Sequence, residues 1–329
     1  MRFSVIIPVY NRPGEVEELL QSLADQEYDD FEVIVVEDGS KVSCSEVVNK
    51  FASGLKIQYF FKENTGPGLT RNYGAERAKG EFLIFFDSDC IVPNDYFTRV
   101  EEELAAEYVD FFGGPDATHP SFTDVQKAIG YSMTSFFTTG GIRGGRVKLE
   151  RFTPRSFNMG INAEVFHSVS GFSNMRFGED VDLSLRLIEM GFRSRLFPKA
   201  FVYHKRRTDF RKFFKQVFNS GMARINLSIN HKSSLKLVHL LPSGFALTMS
   251  VTILLSWLFP TLLLLPLLYS CAILFDSLLK GNSLTVALLS VGAAWVQLYG
   301  YGLGFIYALW LWVVHGRRPN GAFTKNFYR

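Results

Sequence analysis

Two stretches of this 329-residue sequence, 237–275 and 281–316, contain no Asp, Glu, Lys or Arg. Each exceeds the roughly 20 apolar residues that cross a bilayer. The first, at 39 residues, would run about 58 Å as one continuous helix, too far for a single crossing. Pro260 and Pro266 interrupt it, so the sequence predicts a fold-back there and two or three transmembrane helices over 237–316. Lys232 and Lys236 precede the block, and Arg317, Arg318, Lys325 and Arg329 form a basic tail, 317–329, after it. Basic flanks tend to remain cytoplasmic, which an even number of crossings would satisfy; a re-entrant hairpin plus a span is the other topology the block allows.

The rest of the chain is chemically different. Residues 1–209 carry 24 basic and 31 acidic side chains, whereas 210–329 carry 11 and 1, so a net charge of +3 hides an acidic half and a basic half. Met1-Arg2-Phe3 leads directly into a strand-like run, with none of the marks of a signal peptide. The expectation is a domain over 1–209 facing the cytoplasm, attached to the inner membrane through its C-terminal region. Between the two, 205–236 holds nine basic residues and one acidic, with Phe210, Phe213, Phe214 and Phe218 interleaved. Its position before the apolar block favours an interfacial helix over 210–236, on anionic lipid with the phenylalanines inserted, over nucleic-acid binding. Cys44, Cys90 and Cys271 have neither disulfide nor metal spacing and are expected to be packing residues.

The first two hundred residues alternate short apolar runs with amphipathic ones. "FSVIIPVYN", "FEVIVVEDGS", "IQYFFKEN" and "EFLIFFDSD" are strand-like, while "PGEVEELLQSLADQ" and "GLTRNYGAERAKG" have helical spacing. Strands apolar almost throughout, separated by helices, predict a mostly parallel sheet covered on both faces. Ligands of such sheets gather at the carboxyl ends of strands. Three of the strands end in polar residues: Pro8 to Asn11, Glu37-Asp38-Gly39-Ser40 and Asp87-Ser88-Asp89. No G-x-G-x-x-G follows the first strand, and "NTGPGLTRN" lacks the P-loop lysine, so neither the dinucleotide nor the P-loop mode of phosphate binding is present, which argues against a Rossmann oxidoreductase, a third reading. A divalent metal, Mn²⁺ or Mg²⁺, held on carboxylates is the economical way to hold phosphates instead.

Each candidate residue has a plainer alternative. Asp87-Ser88-Asp89 offers oxygen ligands to such a metal, or forms a solvated turn capping a helix that starts near Pro93. Asp38 accepts hydrogen bonds from a base or ribose, or belongs only to an Asp-Gly turn. Glu179 and Asp180, with Asp182, open the run "FGEDVDLSLRLIEMGF"; acids there complement a helix dipole, or Asp180 projects into the crevice as a general base.

Taken together, "SVIIPVYNRP", "FEVIVVEDGS", "GPGLTRNYGAERAKGEFLIFFDSDCIVP", "FNMGINAEVFHSVSGF" and "FGEDVDLSLRLIEMGF" resemble the family 2 glycosyltransferases of GT-A fold over roughly residues 3 to 225. The resemblance implies a nucleotide-diphosphate sugar donor, a divalent metal and inverting displacement at the anomeric carbon. It puts Pro8 and Asp38 against the nucleoside and Arg71 near the nucleotide. It puts Asp89, with Asp87 beside it and Ser88 between, on the metal and diphosphate, and Asp180, within Glu179-Asp180, in the role of catalytic base. Asn158 and His204 match recurrent family positions in the acceptor region, and for His204 a buried hydrogen bond is an alternative. Gln216 is followed by Val217, Phe218, Asn219 and Ser220, so the Q-x-x-R-W of processive synthases is absent and one sugar per encounter is expected. The C-terminal apolar block suggests an acceptor at the membrane, a lipid-linked glycan intermediate of cell-envelope polysaccharide biosynthesis. A membrane-attached nucleotide-sugar-binding scaffold without transfer activity, or a processive polysaccharide synthase, remains the alternative. A mobile acceptor loop is expected within 110–157, around "GGIRGGRVKLE".

Overall fold

The computed structural model describes residues 1–139, 152–175 and 177–316. They divide into two compact units, one of 1–119 with 152–204 and one of 120–139 with 205–316. The glycine-bearing segment 140–150 and the basic tail 317–329 lie outside the described residues.

In the first unit the chain runs β1 (Phe3–Val9), α1 (Pro13–Ala24), β2 (Phe31–Asp38), α2 (Ser45–Phe51), β3 (Ile57–Lys62), α3 (Pro67–Ala75), β4 (Phe82–Phe86), β5 (Cys90–Ile91), α4 (Tyr96–Ala106), β6 (Phe111–Gly113) and β7 (Asp116–Ala117). It leaves for the second unit through α5 (Asp124–Thr134) and α6 (Phe136–Thr139), then returns as β8 (Asn158–Asn162), α7 (Ala163–Ser168), α8 (Glu179–Glu189), β9 (Ser194–Leu196) and β10 (Val202–His204). The main sheet, among the described residues, has the order β3-β2-β1-β4-β8-β6-β9. β1 to β4 are mutually parallel, and β8 is antiparallel to both β4 and β6. A small sheet β5-β10-β7 sets His204 opposite Cys90.

Alternation along the strands divides the core between two faces. Phe3, Val5, Ile7 and Val9 of β1 join Val33, Val35, Ile84 and Phe86 against α1 and α4. Ile6, Leu83 and Phe85 join Met159, Ile161, Leu183 and Leu187 on the other face. Both faces are covered, which is why the sequence of these strands is apolar at nearly every position. The helix expected from Pro93 begins at Tyr96, because Pro93 is spent in the preceding turn, where its carbonyl accepts from Tyr96 N at 3.1 Å.

The second unit adds α9 (Phe210–Asn230), α10 (Leu241–Leu255), α11 (Leu264–Leu279) and α12 (Leu284–His315) to α5 and α6. Counted with the short 3₁₀ turns beside them, three helices among the described residues are long and apolar enough to cross a bilayer: 237–255, 260–279 and 284–315. Pro260 opens the 3₁₀ turn between α10 and α11, and Pro266 sits in the first turn of α11, where its missing N–H costs no helical bond.

Three of the four phenylalanines of α9 correct the expectation that they insert into lipid, whereas Phe214 is 36% exposed. Phe213 is fully buried among Ala128, Ile129, Val286 and Ala293, Phe210 packs partly buried on the same cluster, and Phe218 on Phe305 and Ala308. The reason lies in α12, whose Gly300 and Gly304, one helical turn apart, let α9 approach backbone to backbone. A Cβ on Gly304 would stand 2.1 Å from Phe218 O, and one on Gly300 2.4 Å from Val217 Cγ2. Small residues spaced in this way are the usual device for close helix pairs in a bilayer.

Gly304→Val should therefore destabilise the helical unit by about 1–3 kcal/mol through overpacking. A Cβ on Gly292 meets only the Phe210 ring at 3.4 Å, so Gly292→Ala serves as the control. Thermal unfolding of the full chain in detergent checks this; equal midpoints for the two variants would contradict it.

Candidate active site

The crevice is built from the ends of β2, β1 and β4. Asn11 follows β1 with a left-handed backbone (φ 53°), a conformation that asparagine tolerates better than most residues. Its side-chain oxygen accepts from Lys41 N and Val42 N at 2.7 and 3.1 Å, and its own N–H donates to Ser40 Oγ at 2.9 Å. The segment after β1 is thus tied to the segment after β2. Gly39 is required between them: its φ is +70°, and a Cβ would stand 2.8 Å from Asn64 N.

Asp38 is buried, and both its oxygens are held within the protein. Lys62 Nζ lies 2.6 Å and Thr65 N 2.9 Å from Oδ1, and Gly66 N donates to Oδ2 at 2.9 Å. The carboxylate organises the turn 63–66 that leads into α3, a role the Asp-Gly reading did not contain. Pro8 is half-buried in β1 opposite Val36, and Ser88 is buried between the two aspartates.

At the end of β4 each aspartate has its own arginine. Arg71 Nη2 lies 2.5 Å from Asp87 Oδ1, and Arg12 Nη1 lies 2.5 Å from Asp89 Oδ2. Arg71 is 3% exposed, rests over the Phe172 ring at 5.4 Å, and turns Nη1 to Glu179 Oε1 at 3.2 Å. Burial works against its charge, but Asp87 and Glu179 more than restore it and hold its pKa above the ordinary value. One guanidinium thus joins the end of β4 to the first turn of α8. Gly178, left-handed at φ 80°, starts that helix. Burial and then the neighbouring Asp180 charge push the Glu179 carboxyl up to about 7 against the pull of Arg71. Asp180 accepts from Arg155 Nη1 at 3.3 Å and from Ser156 N at 3.4 Å.

His204 arrives from β10 and stacks on Phe157 at 4.7 Å; its Nε2 lies 3.1 Å from Asp89 Oδ1 and 4.0 Å from Asp87 Oδ2. Ligand atoms of Asp89, Cys90 and His204 fall within 4.8 Å of one another. The Cys90 sulfur points to Phe157 O at 3.5 Å, in keeping with a packing role. The two carboxylates suit a hard divalent cation such as Mn²⁺ or Mg²⁺, the imidazole is a borderline ligand and the thiol a soft one. Asn158 lies opposite Phe86, the residue before Asp87. It is fully buried, accepting from Tyr96 OH at 2.6 Å and donating to Ala200 O at 2.8 Å, a crosslink inside the core. The sequence analysis gave no role to Arg12, Arg155, Lys62 or Phe157. Arg12 was within reach of the strand-end rule, since it follows β1 by three residues; the others carry no local signal.

Residues 4–169 match the sequence model described as Glycosyl transferase family 2. The chain belongs to this family. It is 39% identical over 114 residues to the poly(ribitol-phosphate) beta-N-acetylglucosaminyltransferase TarS of Staphylococcus aureus, a match covering 33% of this chain and 19% of that protein. An uncharacterized glycosyltransferase of Rickettsia bellii is 38% identical over 109 residues, 33% of this chain and 15% of its own length. The chain thus spans less than a fifth of either relative. Glycosyltransferase AglE of Haloferax volcanii is 26% identical over 240 residues, 71% of this chain and 77% of that protein. Among solved structures, the mannosyltransferase PcManGT from Pyrobaculum calidifontis, in complex with GDP-Man and Mn²⁺, superposes with a TM-score of 0.59 at 18% identity over 94% of this chain and 87% of its own. Residues 1–349 of Staphylococcus aureus TarS superpose with a TM-score of 0.53 at 19% identity over 96% and 92%. The fold of the sheet-bearing unit is GT-A.

Arg71→Met leaves Asp87 and Glu179 without their shared cation and should cost about 3–5 kcal/mol of stability. Because the Glu179 pKa is raised in the folded state, its contribution to stability is complete below 4.5 and is lost as pH rises through about 7. The melting temperature of the unaltered protein, measured relative to Glu179→Gln, should fall as pH increases across that window. A difference independent of pH would contradict the assignment.

Proposed function

We propose that this chain transfers one sugar from a nucleotide-diphosphate sugar to an acceptor hydroxyl with inversion, in the presence of Mn²⁺ or Mg²⁺. The observation that carries the reading is the linkage through Arg71 of the Asp87-Ser88-Asp89 strand end to the Glu179-Asp180 helix start. It brings a place for a diphosphate and a candidate base into one crevice. Counted together, four carboxyl groups (Asp87, Asp89, Glu179, Asp180) face three guanidiniums (Arg12, Arg71, Arg155). A diphosphate adds further negative charge, and buried charge without a partner is costly, so an added cation is what lets it enter.

Asp87, Asp89 and His204 would hold that cation, which when bound neutralises charge developing on the departing diphosphate. Pro8 and the turn held by Asp38 border the nucleoside. Asp180, oriented by Arg155 and by Ser156 N, accepts the proton of the acceptor hydroxyl. The acceptor oxygen then bonds to the anomeric carbon from the face opposite the diphosphate, the carbon–oxygen bond to the diphosphate breaks, and the nucleoside diphosphate leaves. The nucleotide-sugar donor class accords with the GDP-Man complex of the mannosyltransferase of like fold.

The three long apolar helices support a membrane location. With them goes a lipid-linked glycan acceptor, an intermediate of cell-envelope polysaccharide, with the GT-A unit on the cytoplasmic side of the inner membrane. Without a Q-x-x-R-W motif after α8, the reading is transfer of a single sugar.

Nucleoside diphosphate release from a panel of nucleotide sugars, by the full chain in detergent with lipid-linked or soluble acceptor, tests this. One donor should turn over, faster on lipid-linked acceptor. Asp180→Asn should retain donor binding while losing about 10²–10⁴-fold in turnover, the usual contribution of a general base. Asp89→Ala should lose metal-dependent donor binding. Full turnover by Asp180→Asn would overturn the base assignment, and a folded sample inert to every donor would favour a binding scaffold.

A further inference from the structure

Arg12 and Arg71 both serve the acidic end of β4, yet they are held differently. Arg71 is buried, and each of its Nη atoms is spent on a carboxylate. Arg12 keeps 33% of its side chain exposed at the mouth of the crevice. Among the described residues its guanidinium makes one hydrogen bond, from Nη1 to Asp89 Oδ2. A guanidinium carries five N–H donors in a planar fork, so most of those on Arg12 are left for a ligand. Its backbone is held in place from both sides. Asn11 before it is tied to Ser40, Lys41 and Val42, and Pro13 after it opens α1 and keeps Arg12 out of the helix. The Arg12 side chain makes no cap bond to that helix. Burial works against its charge, but Asp89, and beyond it Glu15 and Asp87, hold its pKa above the ordinary value.

The charges at the strand end already cancel. Asp87 faces Arg71 and Asp89 faces Arg12, two carboxylates against two guanidiniums. A divalent cation added alone therefore brings positive charge that nothing there offsets, and it must share the Asp89 carboxylate with Arg12. Like charges a few Å apart repel, and they do so more strongly away from bulk water. A diphosphate reverses the balance, because its negative charge answers both the cation and the guanidinium. The fork of an arginine also matches two phosphate oxygens at once. Cation and diphosphate then strengthen each other's binding, by the same factor in either order.

We infer that Arg12 makes cation binding at Asp89 depend on the diphosphate: its charge opposes a lone cation, and its unspent donors take phosphate oxygens. The inference rests on the reading of the crevice as a cation and diphosphate site. It is tested on the full chain in detergent, comparing the unaltered protein with Arg12→Gln and Arg12→Lys. Binding of Mn²⁺ alone is read from the loss of the paramagnetic resonance signal of the aqueous ion. Binding of ADP, CDP, GDP, UDP and dTDP at saturating Mn²⁺ is read by calorimetry. Without nucleotide, Arg12→Gln should bind Mn²⁺ at least about tenfold more tightly than the unaltered protein, the scale on which one nearby charge shifts the affinity for a proton. With Mn²⁺ saturating, it should bind the preferred diphosphate more weakly by a similar factor. Arg12→Lys keeps the charge and should bind lone Mn²⁺ as the unaltered protein does. If Arg12→Gln fails to fold, Arg12→Met takes its place, each variant first shown to keep a cooperative thermal transition. Equal Mn²⁺ affinity in the neutral variant and the unaltered protein would overturn the inference. Weaker Mn²⁺ binding by the neutral variant would also overturn it, since Arg12 would then serve to orient Asp89. Failure of all five diphosphates to bind the unaltered protein with Mn²⁺ would instead overturn the reading of the crevice.

Discussion

A guanidinium with 3% of its side chain exposed, Arg71, stands between a carboxylate at the end of β4 and another in the first turn of α8. Carboxylates held close together at the end of a strand repel one another, and a cation beside each offsets that repulsion. Asp87 meets Arg71 and Asp89 meets Arg12. Glu179 shares Arg71 with Asp87, yet burial and then the neighbouring Asp180 raise its pKa. The crevice therefore sets an acidic pair held by arginines close to a carboxyl that is easily protonated.

The parts of this arrangement visible in the sequence are the local ones. β1 to β4 are legible because strands buried on both faces must be apolar throughout, and the polar residues after β1, β2 and β4 mark the ligand edge. The motifs in their order carried the family and the fold. Partners brought together by tertiary structure left no such trace: Arg71 and Glu179 are 108 residues apart, and Arg12 and Asp89 are 77 apart. Asn158 illustrates the converse. A polar residue within a recognisable motif turns out to crosslink the core, because Tyr96 and Ala200, distant in sequence, close around it.

The helical unit shows the same limit. Absence of charge identified the apolar segments, yet α5 reads in sequence as an ordinary amphipathic helix. It joins α9 and α12 because Ala128 and Ile129 pack with Phe213 and Val286. The phenylalanines of α9 suggest lipid only while the glycines of α12 go unnoticed. Once Gly300 and Gly304 permit close approach, Phe210, Phe213 and Phe218 pack on protein, while Phe214 stays exposed. What remains open to an apolar partner is the surface of α10 and α11, where side chains such as Trp257 and Leu279 are almost fully exposed.

The central claim is that the acidic strand end becomes a diphosphate site only with an added cation. Calorimetric titration of a nucleoside diphosphate into the full chain, at constant ionic strength, with Mn²⁺ and then with chelator, addresses it directly. The account predicts binding that strengthens at least about tenfold, or 1.4 kcal/mol, when Mn²⁺ is present. Equal affinity in the two conditions would mean that Arg12, Arg71 and Arg155 hold the diphosphate unaided, and the assignment of Asp87 and Asp89 to a cation would fail.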